Sequence, residues 1–195
     1  MESHRRLPHI YPADKALFIT FNLHGSVPAS GLPPPGPLPS GRAFVWIDKH
    51  LDAAKTGPRH MLRSDLARLV ATSIRKGAEL RHYDLEAFVV MPNHVHMLIW
   101  PKISPSRLMN SLKGSTARAA NKVLGLTGEP FWQKESYDHW VRNDEELRKI
   151  HTYIDDNPVR AGLVADAREY PWSSAGGETS LAAARMSPCV TPLSG

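Results

Sequence analysis

DLEAFVVMPNHVHMLIW, residues 84–100, places two runs rich in β-branched and aromatic residues on either side of Pro92-Asn93. Two such runs joined by a pair of turn-forming residues predict a β-hairpin. Along the second strand, successive side chains alternate, so His94 and His96 point to one face while Val95, Met97 and Ile99 point to the other. The apolar set fits a core beneath helices. The two imidazoles sit at a spacing from which both can reach one divalent ion. Two polar residues on a solvated sheet face are the competing reading. Two ligands alone make a weak site, so a third has to come from elsewhere in the chain.

Upstream, SDLARLVATSIRKG (64–77) predicts a helix with Ser64 as N-cap, an apolar stripe of Leu66, Leu69, Val70 and Ile74, and Gly77 as its stop. ALFITFNL (16–23) reads as a first strand. The prolines of GSVPASGLPPPGPLPSG (25–41) remove donors and fix φ, which makes that segment a loop leaving the sheet. AFVWIDKHLDAAKTG (43–57) reads as a short helix ending at Gly57. Downstream, SPSRLMNSLKGSTARAANKVLG (104–125) is helical with a break expected at Gly114, and FWQKESYDHWV (131–141) is extended. NDEELRKIHTYIDDNP (143–158) is a helix with Asn143 as N-cap, acids in its first turn and Pro158 as terminator. The order β-α-β-β-α-β followed by a helix specifies an α+β fold. It is a ferredoxin-like or RRM-like antiparallel sheet with helices on one face and a C-terminal helix that carries Tyr153. One domain over residues 1–174 is expected, with a proline-rich insertion at about 25–41 and a disordered tail over 175–195.

At 195 residues and 42% hydrophobic, the chain is long and apolar enough for one sizeable core. With 24 Lys and Arg against 19 Asp and Glu, the formal charge of +5 favours a polyanionic partner. Cys189 is the sole cysteine, which excludes a disulfide framework and a cysteine zinc site. No apolar run reaches signal-peptide or membrane-spanning length, so a cytoplasmic protein without a membrane partner is expected.

The last helix offers the missing third ligand. Tyr153 and Asn157 are four residues apart and share one helical face, beside an apolar stripe of Leu147, Ile150 and Ile154 that would dock on the sheet. If the helix covers the histidine face, two imidazoles, an amide and a phenol converge. Taken singly, Tyr153 also reads as a half-buried aromatic with a wet hydroxyl, and Asn157 as a helix-end residue.

VVMPNHVHMLIW, LMNSLKGSTAR, FWQKESYDHWVRNDEEL, YIDDNPVRAGLV and YPWSSA together resemble the REP-associated tyrosine transposases, a branch of the HUH single-tyrosine transposases. The resemblance runs from about Asp84 to Ala175. It implies an RRM-like fold and a nuclease and strand-transferase acting on single-stranded or hairpin DNA, nucleoid-associated when bound. It further implies Tyr153 as the nucleophile that forms a 5′-phosphotyrosine, and His94, His96 and Asn157 as ligands of Mg²⁺ or Mn²⁺. For DNA contacts, Lys113, Arg118 and Lys122 are candidates for phosphates, with Phe131, Trp132 and Trp140 candidates for base stacking. Core packing is the competing role for the aromatics. A phenol ionises near pH 10, and Lys149, one helical turn before Tyr153, is a candidate for favouring its phenolate; a solvated lysine is the alternative. Arg5 and Arg6 read as a DNA clamp or as a solvated terminus, and His139 and His151 as structural or surface residues. The proline-rich segment departs from the family pattern, and Asp155 and Asp156 add negative charge beside the candidate nucleophile.

Two other functions fit the sequence. One is a noncatalytic RRM-like single-stranded nucleic-acid-binding protein that works by stacking alone. The other is a small-molecule metalloenzyme, which calls for a deep apolar pocket at the histidines. Monomer and homodimer are both compatible with the chain.

Overall fold

The computed structural model describes residues 15–26 and 57–176. The short helix expected over 43–57, apart from Gly57, lies outside the described residues, as do the proline-rich segment from 27 onward, Arg5, Arg6 and the tail from 177.

Among the described residues, four strands and three α-helices follow in order: β1 (Leu17–Asn22), α1 (Ser64–Glu79), β2 (Tyr83–Val90), β3 (His94–Pro101), α2 (Pro105–Leu124), β4 (Tyr137–Trp140) and α3 (Asp144–Arg160). The strands form one sheet in the order β2-β3-β1-β4, antiparallel at every pairing. This is the β-α-β-β-α-β plan expected from the sequence. The hairpin closes where the Met91 amide donates to the His94 carbonyl at 2.8 Å, leaving Pro92-Asn93 as a two-residue loop.

Register assigns the faces, because residues directly opposite each other share a side of the sheet. Thr20 and Val89 flank His96, and Asn22 pairs with His94, so these residues lie on one face. Ile19 and Phe88 flank Met97 on the other. Helices α1 and α2 cover that second face: the Arg75 guanidinium of α1 lies 4.8 Å from the Phe88 ring centre, and α2 overhangs Leu17 and Ile19. Helix α3 covers the histidine face through buried Ile150 and Ile154. With both faces covered, His94 and His96 are each 0% exposed, so the reading of two polar residues on a solvated face does not hold.

The outer edge of β2 is sealed by residues 170–174. The Val90 amide donates to the Trp172 carbonyl at 2.8 Å, and the Ser174 amide to the Phe88 carbonyl at 2.9 Å. The Tyr170 hydroxyl donates to the Val90 carbonyl at 2.8 Å. An unpaired strand edge is thereby satisfied, and the packed chain continues to a buried Gly176.

Four helix signals act differently from expectation. Helix α1 starts at Ser64, which is not its cap, and runs through Gly77 to Glu79. Gly77 is needed for space: a Cβ there would lie 2.8 Å from two Tyr83 ring atoms, and that tyrosine is held by its hydroxyl donating to the Ile74 carbonyl at 2.5 Å. Helix propensity alone favours alanine by about 1 kcal/mol, whereas overpacking a rigid ring costs about 1–3 kcal/mol. Gly77→Ala is therefore expected to lower the urea midpoint; a raised midpoint would show that the ring gives way. Helix α2 passes unbroken through Gly114 and closes at Gly125, whose φ is 71°. Helix α3 begins as expected, with Asn143 Oδ1 accepting from the Glu146 amide at 2.9 Å, but continues past Pro158 to Arg160. The proline removes one amide donor in the last turn, while the carbonyls of Asn157 and Pro158 still accept from Ala161 and Leu163 at 3.0 and 2.9 Å.

Only Tyr137–Trp140 of the expected extended stretch 131–141 is strand. Residues 131–133 continue along the end of β1, where His24 donates to the Phe131 carbonyl and Gln133 to the Asn22 carbonyl.

Candidate active site

Strand β3 delivers His94 and His96, and α3 lays Tyr153 and Asn157 over them. The two Nε2 atoms face each other at 3.0 Å, with ring centres 4.6 Å apart. His94 Nδ1 lies 2.7 Å from Asn93 Oδ1, and His96 Nδ1 lies 2.8 Å from Thr20 Oγ1. The Tyr153 ring meets the His96 ring edge-on at 5.7 Å. Asn157 is fully buried; its Nδ2 donates to the Tyr153 hydroxyl at 3.2 Å. The four groups that share faces in the sequence are thus together in space.

Asn157 Oδ1 is buried with no hydrogen-bond partner. Leaving such an acceptor unsatisfied costs about 1–3 kcal/mol, so a site that keeps one is suited to a ligand that supplies a positive partner. Among the described residues no group of three His, Cys, Asp or Glu side chains could hold a metal ion. The donor set here is instead two imidazole nitrogens and one amide oxygen, a mixture that fits a small divalent cation whose remaining positions go to water or phosphate oxygens.

Burial, reinforced by the neighbouring His96, holds His94 well below the ordinary histidine range, so its ring is neutral at pH 7 and has a lone pair to offer. The sign of the resulting pH effect follows from linkage. Below about pH 6.5 the unfolded chain takes up a proton that the folded chain refuses, and stability falls with falling pH by up to about 1.4 kcal/mol per unit for this one ring. Urea denaturation of the metal-free protein at pH 7.5 and 5.5 measures it, and equal midpoints would mean that His94 protonates in place.

The Arg160 guanidinium stacks 4.8 Å from the centre of the Tyr153 ring. Seven residues after Tyr153, two helical turns on one face, Arg160 takes the place beside the phenol that was expected of Lys149. Lys149 is exposed and paired with Glu145 at 2.6 Å. Asn93, expected only as a turn residue, and Thr20 of the first strand also touch the histidine rings. Asp155 faces His151 at 3.2 Å and accepts from the Ser174 hydroxyl at 3.3 Å; burial raises its carboxyl, against the pull of His151. His139 binds Glu146 at 3.0 Å.

The candidate DNA contacts are scattered by comparison. The phosphate role expected of Lys113 does not fit its position: its ammonium donates to the carbonyls of Gln133 and Lys134 at 2.6 and 2.9 Å and to the Ser136 hydroxyl at 3.2 Å. Burial lowers it to about 8, although Glu135 pulls the other way. Trp132 is not an exposed stacking ring either. It is 6% exposed, packs edge-on against Phe21 at 4.8 Å and donates to Thr116 Oγ1 at 2.8 Å. Phe131 is buried with it. Trp140 is half-buried and pairs with Leu17, on the side away from the histidines. Arg118 and Lys122 are exposed on α2, also beyond the sheet. A cleft of about 440 Å³ opens under α2 between Leu17, Ile19, Met109 and Phe131, on the face opposite the histidines, so it is not the apolar pocket that a small-molecule metalloenzyme would place at them. No helix among the described residues is long and apolar enough to cross a membrane.

Known proteins agree with this architecture. A REP-associated tyrosine transposase of Escherichia coli K12 is 27% identical over 116 residues, covering 60% of this chain and 68% of that protein. A relative in Haemophilus influenzae, assigned to the same group, is 28% identical over 106 residues, 48% of this chain and 60% of that one. Among solved structures, a REP-associated tyrosine transposase bound to a REP hairpin superposes with a TM-score of 0.56 at 20% identity, covering 100% of this chain and 96% of that one, a likeness of fold. The model of IS200-like transposases matches residues 50–157, more than half of the chain and a span that holds both histidines, Tyr153 and Asn157. The chain belongs to the IS200-like transposase family.

Proposed function

We propose that this protein cuts and rejoins single-stranded DNA beside hairpin or palindromic repeats through a 5′-phosphotyrosine on Tyr153, with Mg²⁺ or Mn²⁺ held by His94, His96 and Asn157. Family membership gives the coarser activity, DNA processing of the transposase kind. The observation that carries the finer reading is the unpartnered Asn157 oxygen beside a phenol and two facing imidazole nitrogens.

Held by His94, His96 and Asn157, a divalent cation would supply Lewis-acid polarisation of the scissile phosphate. The chain's own groups do the rest. Asn157 Nδ2 donates to the Tyr153 hydroxyl, which orients that oxygen and favours it as negative charge develops. Arg160, stacked on the ring, adds a fixed cation at the mouth of the site. The Tyr153 oxygen forms a bond to phosphorus as the bond to the 3′-oxygen breaks. The phenolic proton leaves to solvent, and the 3′-oxygen takes one up to become a hydroxyl. Reversal with another 3′-end rejoins the strand without a high-energy nucleotide, because the phosphodiester energy is kept in the tyrosyl link. Hairpin DNA as the substrate is supported by the similar fold of the protein bound to a REP hairpin.

The test is incubation with end-labelled hairpin oligonucleotides carrying single-stranded flanks, with Mn²⁺, Mg²⁺ or EDTA, resolved on a denaturing gel. A metal-dependent covalent adduct supports the proposal. Binding without an adduct across a broad hairpin library would instead indicate a noncatalytic single-stranded nucleic-acid-binding protein.

A further inference from the structure

We propose that Asn93 and Thr20 are the positioning residues that turn both histidine Nε2 atoms toward one cation, and that the Thr20 hydroxyl changes from hydrogen-bond donor to acceptor when the cation binds. The inference rests on the metal site proposed above.

An amide oxygen only accepts hydrogen bonds. His94 Nδ1, 2.7 Å from Asn93 Oδ1, therefore carries that ring's proton, and His94 Nε2 carries its lone pair. Asn93 is a rigid anchor for this purpose, since it sits in the hairpin loop, is 4% exposed and has its carbonyl tied to the Leu23 amide at 2.8 Å. Facing His94 Nε2 at 3.0 Å is His96 Nε2. Two lone pairs at that distance repel, so in the neutral metal-free pair the His96 proton resides on Nε2 and is donated to His94. His96 Nδ1 then has the lone pair and accepts from the Thr20 hydroxyl at 2.8 Å. This chain of three bonds satisfies the buried rings without any cation.

A cation needs both Nε2 lone pairs. His94 already presents one. His96 has to relocate its proton: the Nε2–H bond breaks, an Nδ1–H bond forms, and the ring's charge is unchanged. The new Nδ1–H needs an acceptor, and a hydroxyl is the one small side-chain group that accepts as readily as it donates. Thr20 sits directly across from His96 in the strand register, 3% exposed, so its rotation answers the proton shift in place. A partner of this kind orients a metal-binding histidine and commonly changes affinity by about 10–100-fold when removed.

Two measurements on the full chain test this. Long-range ¹H–¹⁵N correlation spectra of the histidine rings, recorded first with EDTA and then with diamagnetic Mg²⁺, identify the tautomers. His94 is expected as the Nδ1–H form in both, and His96 as Nε2–H without metal and Nδ1–H with it. His94 as the Nε2–H form, or His96 unchanged at saturating Mg²⁺, overturns the inference. Mn²⁺ affinity by electron paramagnetic resonance is expected to weaken about 10–100-fold in Thr20→Val and Asn93→Ala, and to return to within a few-fold of wild type in Thr20→Ser. If wild type binds Mn²⁺ and Thr20→Val binds it equally well, this inference alone fails. If wild type binds neither ion, the metal site fails and this inference with it.

Discussion

In Tyr153→Phe the proposed covalent protein–DNA adduct is expected to disappear, a loss on the order of 10⁴-fold or more, because removing the proposed nucleophile leaves only the binding and orienting groups. The substitution is close to a pure test of chemistry. The phenylalanine ring keeps the edge-on contact with His96 and the stack under Arg160. It removes the acceptor of Asn157 Nδ2 and leaves that buried donor unpaired, a cost of about 1–3 kcal/mol that lowers the melting temperature of a chain this size by about 2–12 °C. Noncovalent hairpin affinity, measured by gel shift in EDTA, is expected to stay within a few-fold of wild type. A persisting adduct would move the nucleophile to another hydroxyl, and a collapsed melting temperature would make Tyr153 a packing residue.

The second large effect has opposite signs for stability and function. Asn157→Leu replaces a buried amide by an apolar group of similar volume and removes the unpartnered oxygen. Relief of about 1–3 kcal/mol, less about 1 kcal/mol for the lost bond to Tyr153, leaves the metal-free protein more stable by up to about 2 kcal/mol. The same change deletes the proposed third ligand, so adduct formation is expected to fall about 100-fold or more. The rise in melting temperature that wild type gains with added Mn²⁺ is expected to vanish, since a ligand stabilises only the state that binds it. Urea titrations with and without Mn²⁺ read both effects. A less stable metal-free Asn157→Leu would show that the amide contributes packing rather than a stored cost, against the general opposition between site chemistry and stability.

The hairpin was legible because period-two alternation and a two-residue turn are local properties, and the same alternation put both histidines on one side. The start of α3 was legible through Asn143. Its partner groups were not: whether His94 and His96 face water or helix depends on where α3 docks, and that docking is decided by Ile150 and Ile154 against the sheet. Gly77 and Pro158 misled as helix stops for a related reason. Each carries a strong local preference, but the Tyr83 ring accounts for the first, and the second sits in a last turn that tolerates a missing donor. Lys113 looks like a surface group in one dimension and Trp132 reads as either a stacking or a core ring, and only the packed loop 133–136 and the core around Phe21 place the two inside the fold. Thr20 and His96 are 76 residues apart in the chain, a separation over which no pattern in the sequence announces a hydrogen bond.

The return of Trp172–Ser174 along β2 makes the final described stretch a structural member of the sheet. A protein ended at Arg160 would keep every candidate catalytic group and still present a bare row of backbone donors and acceptors at β2. Its defect would be sociable rather than chemical: copies would add strands to one another, and the fault would surface as turbidity long before it surfaced as lost cleavage.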